Sequence, residues 1–169
     1  ITSSLFGYGS FDNLSVKKSA EALFYFALGL PAFSFIKIFS SFLFARNNTK
    51  TPFYFSLLSV ITNIIISVYF FSEIGFIIIP IATTISSWLN SLLLLFFLIK
   101  KNYFSLNLNL IKPIFKILFS TIFASIIFYF LIIFFENNLS YESEFKLLTI
   151  IMLVIVTFIV YVLISILTK

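Results

Sequence analysis

The sequence predicts an all-α, polytopic integral membrane protein with five transmembrane helices. Hydrophobic residues make up 61% of the 169 residues and charged residues only 10%, whereas soluble domains are about half apolar and about a quarter charged. The apolar residues are also grouped, and most charges fall between the groups. Five long apolar runs cover residues 20–45, 52–71, 75–99, 113–135 and 145–167.

Each run is long enough to cross a bilayer. A helix rises about 1.5 Å per residue, so about 20 residues span the roughly 30 Å hydrocarbon core. Only helices and closed barrels satisfy their backbone hydrogen bonds in lipid. Barrel strands would alternate apolar and polar residues, and these runs are continuous. The sequence therefore predicts helices.

The runs divide the chain into four parts. Residues 1–19 form a polar segment, 20–99 form three transmembrane helices, 100–112 form a loop, and 113–169 form two additional helices. We expect the chain to be the C-terminal piece of a longer protein, because it starts without methionine and shows no signal peptide.

The charges between the runs predict the orientation. The gap after the first run carries Arg46 and Lys50 without an acid, and the loop 100–112 carries three lysines. The gaps at 72–74 and 136–144 carry only acids. Because cytoplasmic loops are enriched in Lys and Arg, we expect the N-terminal end outside and the C-terminus in the cytoplasm. Two lysines before the first run are the exception.

The composition excludes several kinds of chemistry. The chain has no cysteine and no histidine, so disulfides, cysteine-based metal sites and histidine acid–base catalysis are excluded. No nucleophile motif or phosphate-binding loop is present. We therefore expect a membrane transport or scaffolding protein, not an enzyme, with no cofactor and no metal. The basic residues flank the runs instead of forming a patch, which argues against nucleic-acid binding.

Three polar residues inside the runs are candidates for a substrate cavity. Lys37 lies more than two turns before the end of the first run, where burying a charge costs about 2.5–3.5 kcal/mol. It either faces a cavity, where it would attract an anionic phosphate, or reaches to the interface. Asn63 and Asn90 either contact substrate or hydrogen-bond to a neighbouring helix.

Glycine and proline mark three structural or hinge candidates. Gly29 and Pro31 lie inside the first run and Pro80 inside the third, where a proline kinks a helix. Such kinks occur in moving or cavity-lining membrane helices, but a simple bend explains them equally well. Pro52 and Pro113 instead stand at the starts of runs, where a missing N–H costs nothing.

Ordered motifs from residue 5 to about residue 101 carry a family likeness. The segments are LFGYGSFD at 5–12, ALGLPA at 27–32, FLFAR at 42–46, NTKTP at 48–52 and AT…WLN at 82–90. They resemble the LFxxGxFD, GLPaf, aFYAR, DTKTP and AT…WLN elements of the MurJ/MviN family of lipid II flippases. The sequence departs from that pattern at Phe44 (usually tyrosine), Asn48 (usually an acid) and Ile78 (often glycine).

The resemblance implies the fourteen-helix fold of the multidrug/oligosaccharidyl-lipid/polysaccharide exporter superfamily, with this chain resembling its last five spans. It implies a bacterial inner-membrane protein that moves lipid II, an undecaprenyl-diphosphate-linked precursor of peptidoglycan, from the inner to the outer leaflet by alternating access. The last two helices would form a groove for the lipid tail. The N-terminal lobe would be the chain's partner, and the fragment alone would be incomplete.

On this basis Lys37 is expected to contribute a cavity cation, and Arg46 and Lys50 to lie in a cytoplasmic loop near the inward opening. Two alternatives stay open. One is a flippase for another polysaccharide-linked lipid of the same superfamily, and the other is a non-transporting subunit of a membrane assembly.

Overall fold

The computed structural model describes Thr2 and residues 12–104, 108–139, 143 and 145–167. The regular structure in these residues is helical, which confirms the all-α class. Two short 3-10 turns, Gly75–Ile77 and Glu136–Leu139, connect or follow helices. Within residues 12–104, 108–139 and 145–167, the α-helices are α1 (Asn13–Ala45), α2 (Lys50–Ile74), α3 (Ile78–Lys100), α4 (Leu108–Phe134) and α5 (Lys146–Leu167). The motif at 5–11, Glu142, Glu144 and Lys169 lie outside the described residues.

Four continuous helical stretches of the described chain are long and apolar enough to cross a membrane. The sequence predicts five runs, and the difference lies in the second stretch, where α2, the 3-10 turn and α3 follow one another without a break. The stretches are Leu14–Ala45, Lys50–Lys100, Lys112–Phe134 and Lys146–Leu167.

The first helix begins earlier than its apolar run. Asp12 caps it, because its Oδ1 accepts a hydrogen bond of 2.9 Å from the Ser15 backbone N–H, as an N-cap residue does. The apolar pattern marks only the part of a helix that suits lipid, so it does not detect the polar turns of α1 that precede residue 20. Likewise, α4 starts at Leu108, which places Pro113 inside the helix instead of at its first position.

Asparagine terminates both α1 and α3. Asn47 and Asn102 adopt the left-handed conformation, with φ of 59° and 55°. After each, the next backbone N–H returns to the helix: Asn48 donates to the Leu43 carbonyl and Tyr103 to the Leu98 carbonyl, both at 2.9 Å. These are Schellman-type ends, which satisfy carbonyls that a helix terminus leaves without partners.

The chain forms two compact units, Lys17–Ser105 and Ile1–Val16 with Leu106–Lys169. In the unit of residues 17–105, α2 and α3 run antiparallel, since Ser56 pairs with Asn90 and Asn63 with Thr83. Gly75 makes the reversal between them with φ 73°, a conformation that glycine adopts without steric cost.

Leucines from two helices form the core near one end of this unit. Leu43 of α1 is fully buried with Leu94 of α3, and Leu98 is 2% exposed. Phe39 and Phe55 pack against this cluster. Outside it, most large apolar side chains are exposed, as at Val68 and Tyr69, both 72%. A soluble monomer rarely exposes so much apolar surface, whereas lipid-facing helices do.

A glycine-proline turn of α1 lies against α3. Gly29 is buried, and a Cβ there would lie 3.1 Å from Oγ1 of Thr84 and 3.3 Å from the Phe33 ring. The absence of a side chain thus allows α1 to approach α3 closely, as small residues do between membrane helices.

Pro80, which the sequence placed in the interior of the third run, is instead in the first turn of α3, as its third residue. Its missing N–H therefore costs no intrahelical bond.

The other unit contains α4 and α5, which pack on each other. Its buried residues include Ala124, Ile150 and Leu153, and also polar residues. Ser120 is fully buried on α4, and Lys146 is only 2% exposed at the start of α5.

Substituting Gly29 with valine is expected to destabilise the protein by about 1–3 kcal/mol, because added atoms in a filled interface force neighbours to move. The free energy of unfolding, measured in detergent, tests this. Ala27→Val is the matched control, since Ala27 is exposed on the same helix. Equal effects of the two substitutions would contradict the close α1–α3 contact.

A polar cavity among the first three helices

Two of the three cavity candidates, Asn63 and Asn90, lie together in the folded chain. They line a cavity of about 370 Å³ between α1, α2 and α3. Seven of the ten lining residues carry hydroxyl or amide groups, so polar side chains are concentrated in this cavity, here called the polar cavity, within an otherwise apolar helix bundle. The lining residues are Phe33, Ile36, Ser56, Ser59, Val60, Asn63, Thr83, Ser86, Ser87 and Asn90.

The two asparagines connect α2 to α3. The Asn63 amide donates to Oγ1 of Thr83 at 3.1 Å and to Oγ of Ser86 at 3.3 Å. The Asn90 amide donates to Oγ of Ser56 at 3.3 Å. Both side chains therefore make the helix-to-helix bonds that the sequence offered as one interpretation, and both also border open volume.

Except for Ser56, the serines and threonines that line the cavity donate to carbonyls of their own helices. Thr83 donates to the Ile79 carbonyl at 2.8 Å and Ser87 to the Thr83 carbonyl at 2.6 Å. Ser59 donates to the Phe55 carbonyl at 3.0 Å. Each hydroxyl proton is thereby used within its helix, which leaves the oxygen lone pairs free to accept. The Asn63 amide uses two such oxygens.

One acceptor in the cavity is left over. Among the described residues, Oδ1 of Asn90 is buried without a hydrogen-bond partner, and so is Oγ of Ser67 on the same face of α2 as Asn63. A buried polar atom without a partner costs about 1–3 kcal/mol. The Asn90 oxygen can therefore accept from a donor that enters the cavity. The described residues bring no three acidic side chains together that could hold a metal ion.

The hinge candidates Gly29 and Pro31 lie where side chains of α3 donate hydrogen bonds to backbone carbonyls of α1. Pro31 lacks an N–H and crowds the preceding turn. Within two turns before Pro31, Thr84 donates to the Tyr25 carbonyl at 2.7 Å and Trp88 Nε1 to the Leu28 carbonyl at 3.0 Å. Neighbouring side chains often stabilise such disrupted turns in membrane helices.

Sequence reasoning missed these two donors. The sequence alone marked neither Trp88 nor Thr84 as a donor to another helix. In the sequence, the only indication was Pro31 in the facing helix. Which side chains of α3 reach the α1 backbone near this proline depends on how α1 packs on α3.

The remaining candidates lie away from the cavity. Lys37 is exposed on α1, next to the lining residue Ile36. Arg46 lies between two rings, with its guanidinium carbon 4.9 Å from the Phe42 centroid and 4.2 Å from that of Tyr103. This cation–π pair joins the ends of α1 and α3. Lys50 lines a different pocket at the start of α2.

A double-mutant cycle tests the α2–α3 bond. Asn63→Leu, Thr83→Val and the double variant are expected to show a coupling of about 0.6–1.7 kcal/mol in the free energy of unfolding, the range for hydrogen bonds between membrane helices. Ile64→Leu, at an exposed neighbour of Asn63, is the control. Strict additivity of the two substitutions would exclude a contribution from this hydrogen bond.

Comparisons with known proteins place the chain in one family. Residues 1–150 match the family model described as Lipid II flippase MurJ. The chain is similar to a probable lipid II flippase MurJ of Rickettsia prowazekii, 36% identical over 90 residues, which are 53% of this chain and 18% of that protein. It is 41% identical over 86 residues to that of Thermotoga maritima, covering 51% and 18%.

The homologue of Rhizobium meliloti is 33% identical over 110 residues, which are 65% of this chain and 21% of the relative. The chain thus matches about a fifth of the length of these curated relatives. The matched family region contains the entire α1–α3 unit with its polar cavity. The chain therefore belongs to the MurJ family of lipid II flippases.

Proposed function

We propose that the full-length protein moves lipid II from the inner to the outer leaflet of the bacterial inner membrane, and that this chain forms its last five spans. The family match over residues 1–150 carries the proposal. A transporter that alternates between two openings needs helices that hold together around a polar path. The polar cavity among α1–α3, with its bonded asparagines, supports this role.

We infer five crossings with the N-terminal end outside. The helices α2 and α3 have 25 and 23 residues, so each is long enough for one crossing, and their antiparallel pairing fits two crossings. The end of the α1–α3 unit that carries Arg46, Lys50, Lys100 and Lys101, here called the basic end, then faces the cytoplasm. The acids Glu21 and Glu73 are at the opposite end.

Lys37 is the cation that we assign to the transport path. It follows Ile36, which lines the polar cavity, and its ammonium has no hydrogen-bond or ion-pair partner among the described residues. A lysine at this depth is stable only near water, a counter-ion or the interface. A diphosphate headgroup supplies such a counter-ion as it passes.

The chain's partner would be the N-terminal lobe of the same protein, which would correspond to the other four-fifths of the relatives' length.

The α4–α5 pair is proposed to hold the undecaprenyl tail. Both helices are mostly apolar and expose large side chains such as Phe119 and Phe158. A groove of about 320 Å³ runs along α4, lined by Ile122, Ile126 and Tyr129 with two hydroxyl residues. Such a surface suits an isoprenoid chain, because its burial is driven by apolar contact alone.

Depletion of the full-length protein tests the function itself. We expect lipid II to accumulate in the inner leaflet, read with a leaflet-resolved lipid II assay, and re-expression to restore its export. Normal lipid II export in depleted cells, with another lipid-linked saccharide retained, would favour a sister flippase. Normal export of all such lipids would favour the scaffolding alternative.

Replacing Lys37 with alanine in the full-length protein is expected to slow lipid II export about tenfold or more, since a charge-assisted bond contributes about 1.5–3 kcal/mol. Lys37→Arg should retain most of the activity because it keeps the charge. Lys17→Ala, at an exposed lysine on the same helix, is the control. Unaltered export by the alanine variant would remove Lys37 from the mechanism.

Single cysteines test the orientation in a cysteine-free version of the full-length protein. A membrane-impermeant maleimide added to intact spheroplasts should label Ser72→Cys, and should label Lys101→Cys only after permeabilisation. The opposite pattern would reverse the proposed topology.

A further inference from the structure

We propose that a pocket at the basic end of the α1–α3 unit binds the headgroup of an anionic phospholipid. The pocket is open, has a volume of about 590 Å³, and lies between the last turns of α1 and the first turns of α2. It is separate from the cavity that holds Asn63 and Asn90, although Ser56 borders both. Its polar side is formed by Ser40, Thr49, Lys50 and Tyr54, and its apolar side by Phe44 and Phe53.

The polar groups of this pocket are available to a ligand. Among the described residues, the Lys50 ammonium has no ion pair, and the hydroxyls of Ser40, Thr49 and Tyr54 make no hydrogen bond to protein. This contrasts with the polar cavity, where hydroxyl protons are used by backbone carbonyls. One ammonium and three hydroxyl donors around one volume match the acceptor oxygens of a phosphodiester.

The apolar side indicates a lipid instead of a free phosphate. Phe44 is 51% exposed and Phe53 63% exposed, so both rings offer contact area at the pocket. A soluble phosphate would leave these rings against water. The glycerol backbone and the first acyl carbons of a phospholipid would cover them and remove their apolar surface from water.

The surrounding charge favours an anionic lipid over a zwitterionic one. The basic end carries four cations, whereas the acids of residues 17–105 are Glu21 and Glu73, at the start of α1 and the end of α2. Arg46 is held between Phe42 and Tyr103, which leaves Lys50 as the pocket's own cation. A basic residue near an anionic membrane surface contributes about fivefold to lipid affinity. The proposed orientation enters only in deciding that the inner leaflet supplies the lipid.

Native mass spectrometry of the purified, delipidated full-length protein tests the site, with phosphatidylglycerol as the probe and no lipid II present. We expect Lys50→Gln to lower the affinity for phosphatidylglycerol about fivefold, and Tyr54→Phe to lower it less. Lys100→Gln is the matched control, because it removes the same charge at the same end, outside the pocket, and should change affinity less than twofold. Unchanged unfolding temperatures of the variants show that each is folded.

Two competing ligands identify the source of the phosphate. Phosphatidylcholine should bind more weakly than phosphatidylglycerol, and glycerol phosphate at equal concentration should not displace the lipid. Equal losses in the Lys50 and Lys100 variants would overturn the proposal in favour of a general attraction to the basic end. Displacement by glycerol phosphate would assign the pocket to a soluble anion. Because binding is read without transport, either failure leaves the flippase proposal untouched.

Discussion

The structure depends on one constraint: in lipid, a polar group that lacks a hydrogen-bond partner in the protein has no water to take that partner's place. Backbone groups meet this constraint inside helices. Side-chain hydroxyls meet it in the same way, since Ser34, Thr62, Thr121 and Thr157 each donate to the carbonyl four residues earlier. These residues therefore remain in apolar helices without needing a tertiary partner, and they leave their oxygens as acceptors.

The α1–α3 unit uses those acceptors to hold its helices together. The amides of Asn63 and Asn90 need more acceptors than their own helix offers, so each reaches a hydroxyl across the α2–α3 interface. The same logic explains the contact of α3 with α1. Backbone carbonyls of α1 within two turns before Pro31 accept hydrogen bonds from Thr84 and Trp88, so the backbone of one helix serves as an attachment point for side chains of another. Apolar packing alone would give little preference for these partners, because lipid tails are as apolar as leucine.

The two units present different kinds of surface. The α1–α3 unit concentrates amides, hydroxyls and the basic end in one place, which suits contact with a charged headgroup. The α4–α5 unit is apolar over most of its described surface, which suits contact with a hydrocarbon tail. An amphiphilic substrate with a diphosphate and a long isoprenoid requires both kinds of surface, and family membership makes such a substrate the natural proposal.

The sequence by itself determined the all-α class, the membrane environment and the family, because run length, composition and ordered motifs depend on local chemistry alone. It predicted α2 and α3 as separate runs, but it did not find the first polar turns of α1, because hydropathy reports preference for lipid and not helix bounds. Only the tertiary structure decided that Asn63 and Asn90 share a cavity, that Lys37 is exposed outside its lining, and that Trp88 reaches the Leu28 carbonyl. Those contacts join residues 20 to 60 positions apart, and their geometry follows from how the helices pack.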